Sequence, residues 1–565
     1  MSIQSNFPNL KPSLLLDFAN TRQLDNRVTF NRASTATFYD NDTAAVAEQN
    51  LVLQSQTFNV SPWALSNTTV TANATTAPDG TSTADKIIED SANSAHAIYQ
   101  ALGTTSGPCT FSVYAKADTR SWLNLNTYIA GVRNTWFDLT NGVVGTVAAG
   151  CTATITSVGS GWYRCSVTTT GGSTTFFELW LATGNNVTTY AGNGTSGLFV
   201  WGAQLEQRST VTTYTPTTTA AITNYVPVLL TAGNNQARFD CDPITRESLG
   251  LLIEEQRTNV FSISEGLTSW SVDGTGAVVV DSGTINPAGR AGGWMTKNAG
   301  YAYLTYGTGI SAGTWTYSVY IKKTVFNTLN VGRVNMFSPS VSIDYNFGTG
   351  TVSLAAGAPV SYGCQRLSDT MARVWITVTI AGSTLGIGSF DTANNSTMIW
   401  GIQIESGAFP TSYIKTDGAG VTRIADIASM TGVNFTSWYA QSAGTLYAEY
   451  AHMQDTGAST VTGSVEMNDG TQNKFFQSGP YTYASNTANV FTKNASSLNA
   501  NSTTALISRN GSTLGPYIDS GLSISGLTQL VFGVGRIYYP FPVRIKKAAY
   551  YPIAVTQSQL NALTS

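Results

Sequence analysis

The sequence is poor in charge. Of its 565 residues only 29 are basic and 32 acidic, 11 % in all, against about 25 % in an ordinary soluble domain. Eleven Lys stand beside eighteen Arg, so charged, long-chain helix formers are scarce and a helical or coiled-coil architecture is not expected. A net charge of −3 without a basic stripe makes nucleic acid a poor partner. The longest apolar stretches, such as 548–555 with Pro552 inside it, fall short of the roughly 20 residues of a membrane span, and no membrane insertion is expected. The start, MSIQSNFPNLKPSLLLDF, lacks a basic segment followed by a long apolar one, so no standard signal peptide is read and assembly in a cytoplasm is expected.

Reactive side chains are equally sparse. The two histidines, His96 and His452, lie far apart, which makes a Ser/His/Asp or Cys/His site hard to assemble. Five cysteines, Cys109, Cys151, Cys165, Cys241 and Cys364, form no CxxC pair. Their odd number argues against a disulfide framework, although Cys151 and Cys165 are near enough in sequence to pair in an oxidising medium. No GxSxG, HExxH, phosphate loop or EF-hand loop occurs. A GxGxxG at Gly192, Gly194 and Gly197 precedes an apolar run instead of following one, and reads as a turn.

What is abundant is Thr, with 81 residues, and Gly, with 53, beside 42 % hydrophobic and 11 % aromatic residues. Thr favours strands and Gly favours turns, and the apolar content is ample for cores, so the chain reads as a folded, multi-domain, all-β protein. Five pieces recur in the same order. LVLQSQTFNVSPW, ending at Trp63, matches TNVFSISEGLTSW, ending at Trp270; TFSVYAKAD matches TYSVYIKKT; WFDLTNGVVGTV matches SIDYNFGTGTVSL; WYRCSVTTT matches RVWITVTIA; FVWGAQLEQ matches MIWGIQIES. The first spacing is 49 residues in one copy and 48 in the other, from Trp to SVY, and the next is 89 and 82, from SVY to WG. Alternation in the last piece puts Phe199, Trp201, Ala203 and Leu205 on one apolar face, as Met398, Trp400, Ile402 and Ile404 in the second copy, with Gln204 and Glu206, or Gln403 and Glu405, facing the other way. Each copy therefore reads as a two-sheet sandwich of jelly-roll type. Near the C-terminus, Thr556 followed by Gln559 is a capping box for a short terminal helix.

PSLLLDFANTRQLDNRVTFNRASTATFYD (12–40) and ARFDCDPITRESLGLLIEEQRTN (237–259) resemble paired signatures of bacteriophage virion proteins of the tail-fibre or head-spike-fibre type. The two copies resemble jelly-roll carbohydrate-binding modules, and VRIKKAAYYPIAVTQSQLNALT resembles the closing strand and helix of concanavalin A-like, laminin-G-like lectin domains. The resemblance implies an N-terminal virion-attachment module in 1–50, completed by a connector at 221–257 after the first jelly roll (51–220) is inserted; a second jelly roll follows at 258–425 and a concanavalin A-like domain at 426–565. It also implies a virion location, a homotrimer, contact with other virion proteins through the N-terminal module, and a host-surface glycan as target, without catalysis. A polysaccharide-depolymerising tailspike and a purely structural head fibre or decoration protein are the alternatives.

Sugar sites use exposed aromatic rings as platforms, framed by amides and carboxylates. Trp63, Trp201, Trp270 and Trp400 recur in both copies on apolar faces and are expected to be core. The candidates for carbohydrate binding are aromatics present in one copy only: Trp122, Tyr128 and Trp136 in the first, and Tyr301, Tyr303 and Tyr306 in the second, where Tyr301 and Tyr303 share a strand face and Tyr306 does not. No catalytic residue is assigned. The resemblance allows a structural calcium, for which Asp40 with Asp42 and Asp240 with Asp242 are the close pairs; turn roles are the simpler reading. Gln204 with Glu206, and Gln403 with Glu405, could bond sugar hydroxyls or serve the strand itself. Glu254, Glu255 and Arg257 form the densest charge group, read as packing between module and connector.

Overall fold

A computed structural model describes residues 10–565 apart from 130, 171, 173–174, 213, 266–270, 274–277, 282, 298–301, 306–309, 325–329, 338–339, 382–385, 391–396, 454–463, 472–474, 479–489, 501 and 534–541. The duplication is a duplication of structure. In the first copy one sheet runs Val143–Val144, Asn134–Asp138, Trp122–Ile129, Thr175–Ala182, His96–Gly103, Ala64–Ser66. The facing sheet runs Thr152–Gly159, Trp162–Thr170, Pro108–Lys116, Gly197–Glu206, Ala84–Glu89, Thr68–Thr75. The second copy repeats both orders strand for strand, as Thr351–Ala356, Ser340–Asn346, Val331–Phe337, Gly386–Phe390, Ala302–Thr305, Ser271–Asp273 and as Ser361–Arg366, Met371–Ile380, Gly313–Lys323, Thr397–Ser406, Trp294–Lys297, Val278–Asp281. Alternating residues fill each core: Leu123, Leu125, Phe177 and Leu179 of one sheet meet Phe111, Val113, Val167 and Leu205 of the other, all fully buried. The chain is thus an all-β, multi-domain sandwich protein.

The expected single apolar face of the WG strand is interrupted. At Gly202 the pairing register shifts, and the backbone adopts φ +63. Before it Leu198 and Val200 enter the sandwich core, and after it Ala203 and Leu205 do. Trp201 falls on the opposite side, among Tyr114, Trp162 and Tyr214. Gly401, also at φ +63, does the same for Trp400, which packs with Tyr320 and Tyr413. A β-bulge inverts the alternation, and Gly accepts the left-handed conformation such a bulge needs. Of the four recurring Trp residues expected to be core, Trp201 and Trp400 are the core of a satellite cluster outside each sandwich, Trp63 belongs to the first sandwich core itself, and Trp270 lies outside the described residues. Around the bulge an Asn is repeated: Asn50 Nδ2 donates to the carbonyls of Ala203 (2.9 Å) and Thr215 (2.8 Å), and Asn259 Nδ2 to those of Ile402 (3.1 Å) and Ile414 (2.8 Å).

Residues 1–50 and 221–257 supply strands to other units. Leu14–Asp17, Arg238–Cys241 and Ser248–Ile253 join the large sheet of the C-terminal sandwich, where Leu14–Asp17 and Ser248–Ile253 both pair with Val543–Tyr551. Thr29–Asn31 pairs with Ile427–Thr431 in the smaller sheet. Leu14, Leu16, Phe18, Leu251 and Ile253 are core residues of that sandwich. Ala36–Asn50 and Ile222–Ala232 form a long two-stranded ribbon that brackets the inserted first sandwich. Helix Gln557–Thr564 begins at Thr556 with both capping-box hydrogen bonds formed. Its Leu560 and Leu563 pack on Tyr447, Ala549 and Tyr551.

Where these units meet, charge is buried. Arg238 donates to Glu254 Oε2 (2.7 Å) and Asp426 Oδ2 (2.5 Å) with every side chain fully buried. Arg32 reaches Asp426 Oδ1 at 3.0 Å, and Arg423 lies 3.5 Å from Glu254. Ser412, following the second sandwich, closes the set by donating its N and Oγ to Glu254. Burial alone would push the Glu254 carboxyl up; the Arg423 and Arg238 guanidiniums outweigh it and hold the group well below the usual carboxylate range. The LLIEEQRTN charge group therefore acts at the junction of the second sandwich, the connector and the C-terminal sandwich.

Candidate functional site

The first sandwich carries an aromatic surface on the outer side of the sheet containing Trp122–Ile129. With Leu123, Leu125 and Thr127 directed into the core, alternation sends Trp122, Asn124, Asn126 and Tyr128 outward. Register aligns these with Ala182, Trp180, Glu178 and Phe176 of the neighbouring strand, and Glu178 in turn with Tyr99. Tyr128 and Phe176 meet edge to face at 5.4 Å, and Phe176 and Tyr99 at 6.2 Å. An aromatic stripe thus crosses three adjacent strands, with Trp180 and Trp122 farther along the same face. Trp122, Tyr128, Phe176, Trp180 and Tyr99 are all half-buried, while Asn124 and Asn126 on the same face are fully buried.

Polar groups sit between the rings. Glu178 Oε2 accepts from Asn126 Nδ2 (2.6 Å) and from the Trp180 indole (2.8 Å), which fixes the orientation of that ring. Burial pushes the Glu178 carboxyl above its ordinary value, and the two donors oppose the shift without cancelling it. Asn124 joins Asn134 Oδ1 at 2.9 Å. Glu178 Oε1 and Asn134 Nδ2 have no protein partner among the described residues. Asp138, the other carboxylate on this face, is engaged by its own turn, accepting from Thr140 N (2.9 Å) and Asn141 Nδ2 (2.8 Å).

Of the six candidate aromatics, Trp122 and Tyr128 stand on this face. Trp136 lies on it too but is only 6 % exposed, its indole donating to the Val187 carbonyl at 3.2 Å; it walls one end of the surface and offers no open platform. Tyr301 and Tyr306 lie outside the described residues. Tyr303 pairs with Gly388 in the corresponding sheet of the second copy, and its side chain lies outside the described ones. That second face is chemically different. Register puts Arg333 where the first copy has Trp122, Ser342 where it has Trp136, and Gly388 where it has Trp180. Arg333 and Asp344 form a bidentate pair at 2.6 and 2.7 Å. Tyr99, Phe176, Glu178 and Trp180 were not singled out from sequence, although Phe176, Glu178 and Trp180 alternate in TFFELW with the period of two that marks one strand face.

The remaining candidates serve the fold. Gln204 and Gln403 are buried and accept from the backbone N of Thr215 and Ile414, both at 2.6 Å. Glu206 and Glu405 accept from Thr212 N (2.9 Å) and Thr411 N (2.8 Å). These side chains, expected on a polar face, are sealed under the chain that follows each sandwich. Asp40 accepts from Asp42 N, and Asp42 pairs with Arg22. Asp240 is held by Arg544 and Asp242 caps its own turn. Among the described residues no group of three or more His, Cys, Asp or Glu is placed to hold a metal. His96 is fully buried, its Nδ1 2.8 Å from the Asn67 carbonyl. His452 faces Ser464 at 3.3 Å, and burial lowers its pKa to about 4. All five cysteines are free thiols. No helix among the described residues is long and apolar enough to cross a membrane. The turn at Gly194 (φ +76) opens onto strand Gly197–Glu206, as the GxGxxG spacing implied.

No protein-family model matches the sequence, and no curated protein does. Among solved structures the chain is similar to the N-terminal CBM22-1–CBM22-2 tandem domain of Paenibacillus barcinonensis Xyn10C. The match has 10 % identity and a TM-score of 0.19, over 64 % of this chain and 99 % of that one.

Proposed function

We propose that the chain is a non-catalytic glycan-binding protein of the virion-fibre type, which engages sugar through the outer aromatic face of its first sandwich. The observation that carries the reading is the stripe of half-buried Trp122, Tyr128, Phe176, Trp180 and Tyr99 with the Glu178 carboxylate between them. Flat apolar rings match the axial C–H faces of pyranoses, and a fixed carboxylate and amide accept and donate to hydroxyls. Engagement of Asp138 in its own turn supports binding over hydrolysis, because glycoside cleavage requires two carboxylates free to flank the bond. The resemblance of 12–40 and 237–259 to phage fibre proteins supports a place on a particle and a homotrimeric state, in which several weak sites act together by raising effective concentration.

The test is a glycan array of bacterial polysaccharides, probed with the full chain and with the Trp122→Ala/Trp180→Ala variant. Retained binding to a defined glycan class by the wild type and a loss of at least about tenfold in the variant are expected, since two rings are removed and a stacking ring in the nucleobase case contributes roughly 1–3 kcal/mol. Equal binding by the two proteins overturns the site, and shortened polysaccharide after incubation overturns the non-catalytic reading. Light scattering tests the trimer, and a monomer at micromolar concentration contradicts it.

A further inference from the structure

A cavity of about 720 Å³ opens between the second sandwich and the C-terminal sandwich, within the size range of small-ligand sites. One wall is the outer side of strands Ser361–Arg366 and Met371–Ile380, and the other includes Asp242, Ile244, Phe491 and Arg544. Trp375 lies in this cavity half-buried, level with Gly363 of the edge strand. A Cβ at Gly363 would stand 2.3 Å from the Trp375 ring, so the indole lies directly across the glycine backbone.

The first copy lacks this arrangement. Arg164 and Arg373 are equivalent: Arg164 bonds Ser112 Oγ and the Thr212 carbonyl, and Arg373 bonds Ser318 Oγ and the Thr411 carbonyl. Two residues on, the first copy has Ser166, paired with Thr154 and bonded to it at 2.6 Å. The second copy replaces that Ser–Thr pair by Trp375 and Gly363. The large ring lies over a residue without a side chain, outside the sandwich core. At the described positions the second copy has Arg333, Ser342 and Gly388 where the first has its tryptophans, and carries Trp375 on the opposite sheet where the first has Ser166.

The surroundings suit a saccharide. Ile244 (48 % exposed), Val360 (58 %) and Tyr362 (38 %) form an apolar rim. The Gln365 amide, on the same sheet face as Trp375, and Asp242 Oδ2 have no protein partner among the described residues. The nearby charges Asp240 with Arg544 and Arg366 with Asp369 are already paired at 2.9 and 2.7 Å. We infer that this cavity is a second saccharide site, with Trp375 as the stacking platform and Gln365 and Asp242 as hydroxyl partners. The ligand class rests on the glycan-binding reading; the location does not depend on the first-sandwich face.

Calorimetric titration of the full chain with an oligosaccharide of the array polysaccharide it binds best tests this. Two sites per chain are expected for the wild type, one for Trp375→Ala, one for Trp180→Ala and none for the double variant. Gln365→Ala, which leaves the ring in place, is expected to keep both sites and weaken one about fivefold. Two sites retained in Trp375→Ala overturn the inference and leave the first face standing. Two sites retained in Trp180→Ala, with one lost in Trp375→Ala, do the reverse. A wild type that binds no array glycan overturns both.

Discussion

Replacing Glu254 by Ala removes the carboxylate around which the buried junction is arranged. Arg238 and Arg423, at 2.7 and 3.5 Å from it and almost wholly buried, would lose their shared counter-charge, and Ser412 N and Oγ would lose their acceptor. The cluster passes from three guanidiniums facing Glu254 and Asp426 to three facing Asp426 alone. Breaking a buried pair from one side costs about 3–5 kcal/mol, because an uncompensated charge remains out of water. For units of this size that corresponds to a fall of roughly 6–20 °C in the melting transition to which the junction belongs. Differential scanning calorimetry on the full chain measures it directly, as the second sandwich and the C-terminal sandwich both contribute side chains to the cluster. Glu254→Gln keeps an acceptor for Ser412 but not the charge and should fall between wild type and Glu254→Ala. A shift below about 2 °C in Glu254→Ala would refute the reasoning and show that water or rearrangement satisfies the arginines.

Two further outcomes follow from geometry and burial. Gly401→Val puts a β-branched side chain at φ +63 with its Cβ 2.9 Å from the Tyr320 ring, for an expected loss of about 2–5 kcal/mol in urea titration; Gly418→Ala, at φ +96 with open space around it, should lose only about 1 kcal/mol, and equal losses would contradict the bulge argument. Acid should destabilise in two steps: His452, buried and lowered to about 4, withdraws stability as pH falls from about 6.5 towards 4, and Glu48, buried but held at about 2 by Lys322, withdraws it from about 4.5 towards 2. Chemical denaturation across pH checks both, and His452→Phe should remove the upper step.

That the two copies share one sandwich fold was legible because repeated pieces at matched spacing carry their alternation with them; the order of strands within each sheet, the same in both copies, was not, because pairing between distant strands leaves no local pattern. The bulges were not, because nothing in FVWGAQLEQ read as simple alternation marks Gly202 as left-handed; only the crowding of Tyr114 and Tyr214 against it reveals why the phase inverts. The fate of residues 1–50 and 221–257 depends on pairing across more than 500 residues, such as Leu14 with Tyr550, which local pattern does not encode. For the candidate site, comparing the copies led to Trp122 and Tyr128, while Trp136 proved covered because burial of a ring depends on the Val187 loop. Trp180 and Glu178 were within reach of period-two reading. Trp375 stands in RVWITVTIA where WYRCSVTTT has Ser166, and its meaning emerged only with Gly363 beneath it.

Hydroxyl-radical footprinting of the full chain with and without its best-binding array polysaccharide tests the central claim most directly. The account predicts protection of Trp122, Tyr128, Trp180 and Tyr99 together, while Tyr225 and Val433, which are exposed elsewhere (54 and 77 %), stay unchanged. Binding that leaves those four rings as reactive as in the free protein would contradict it.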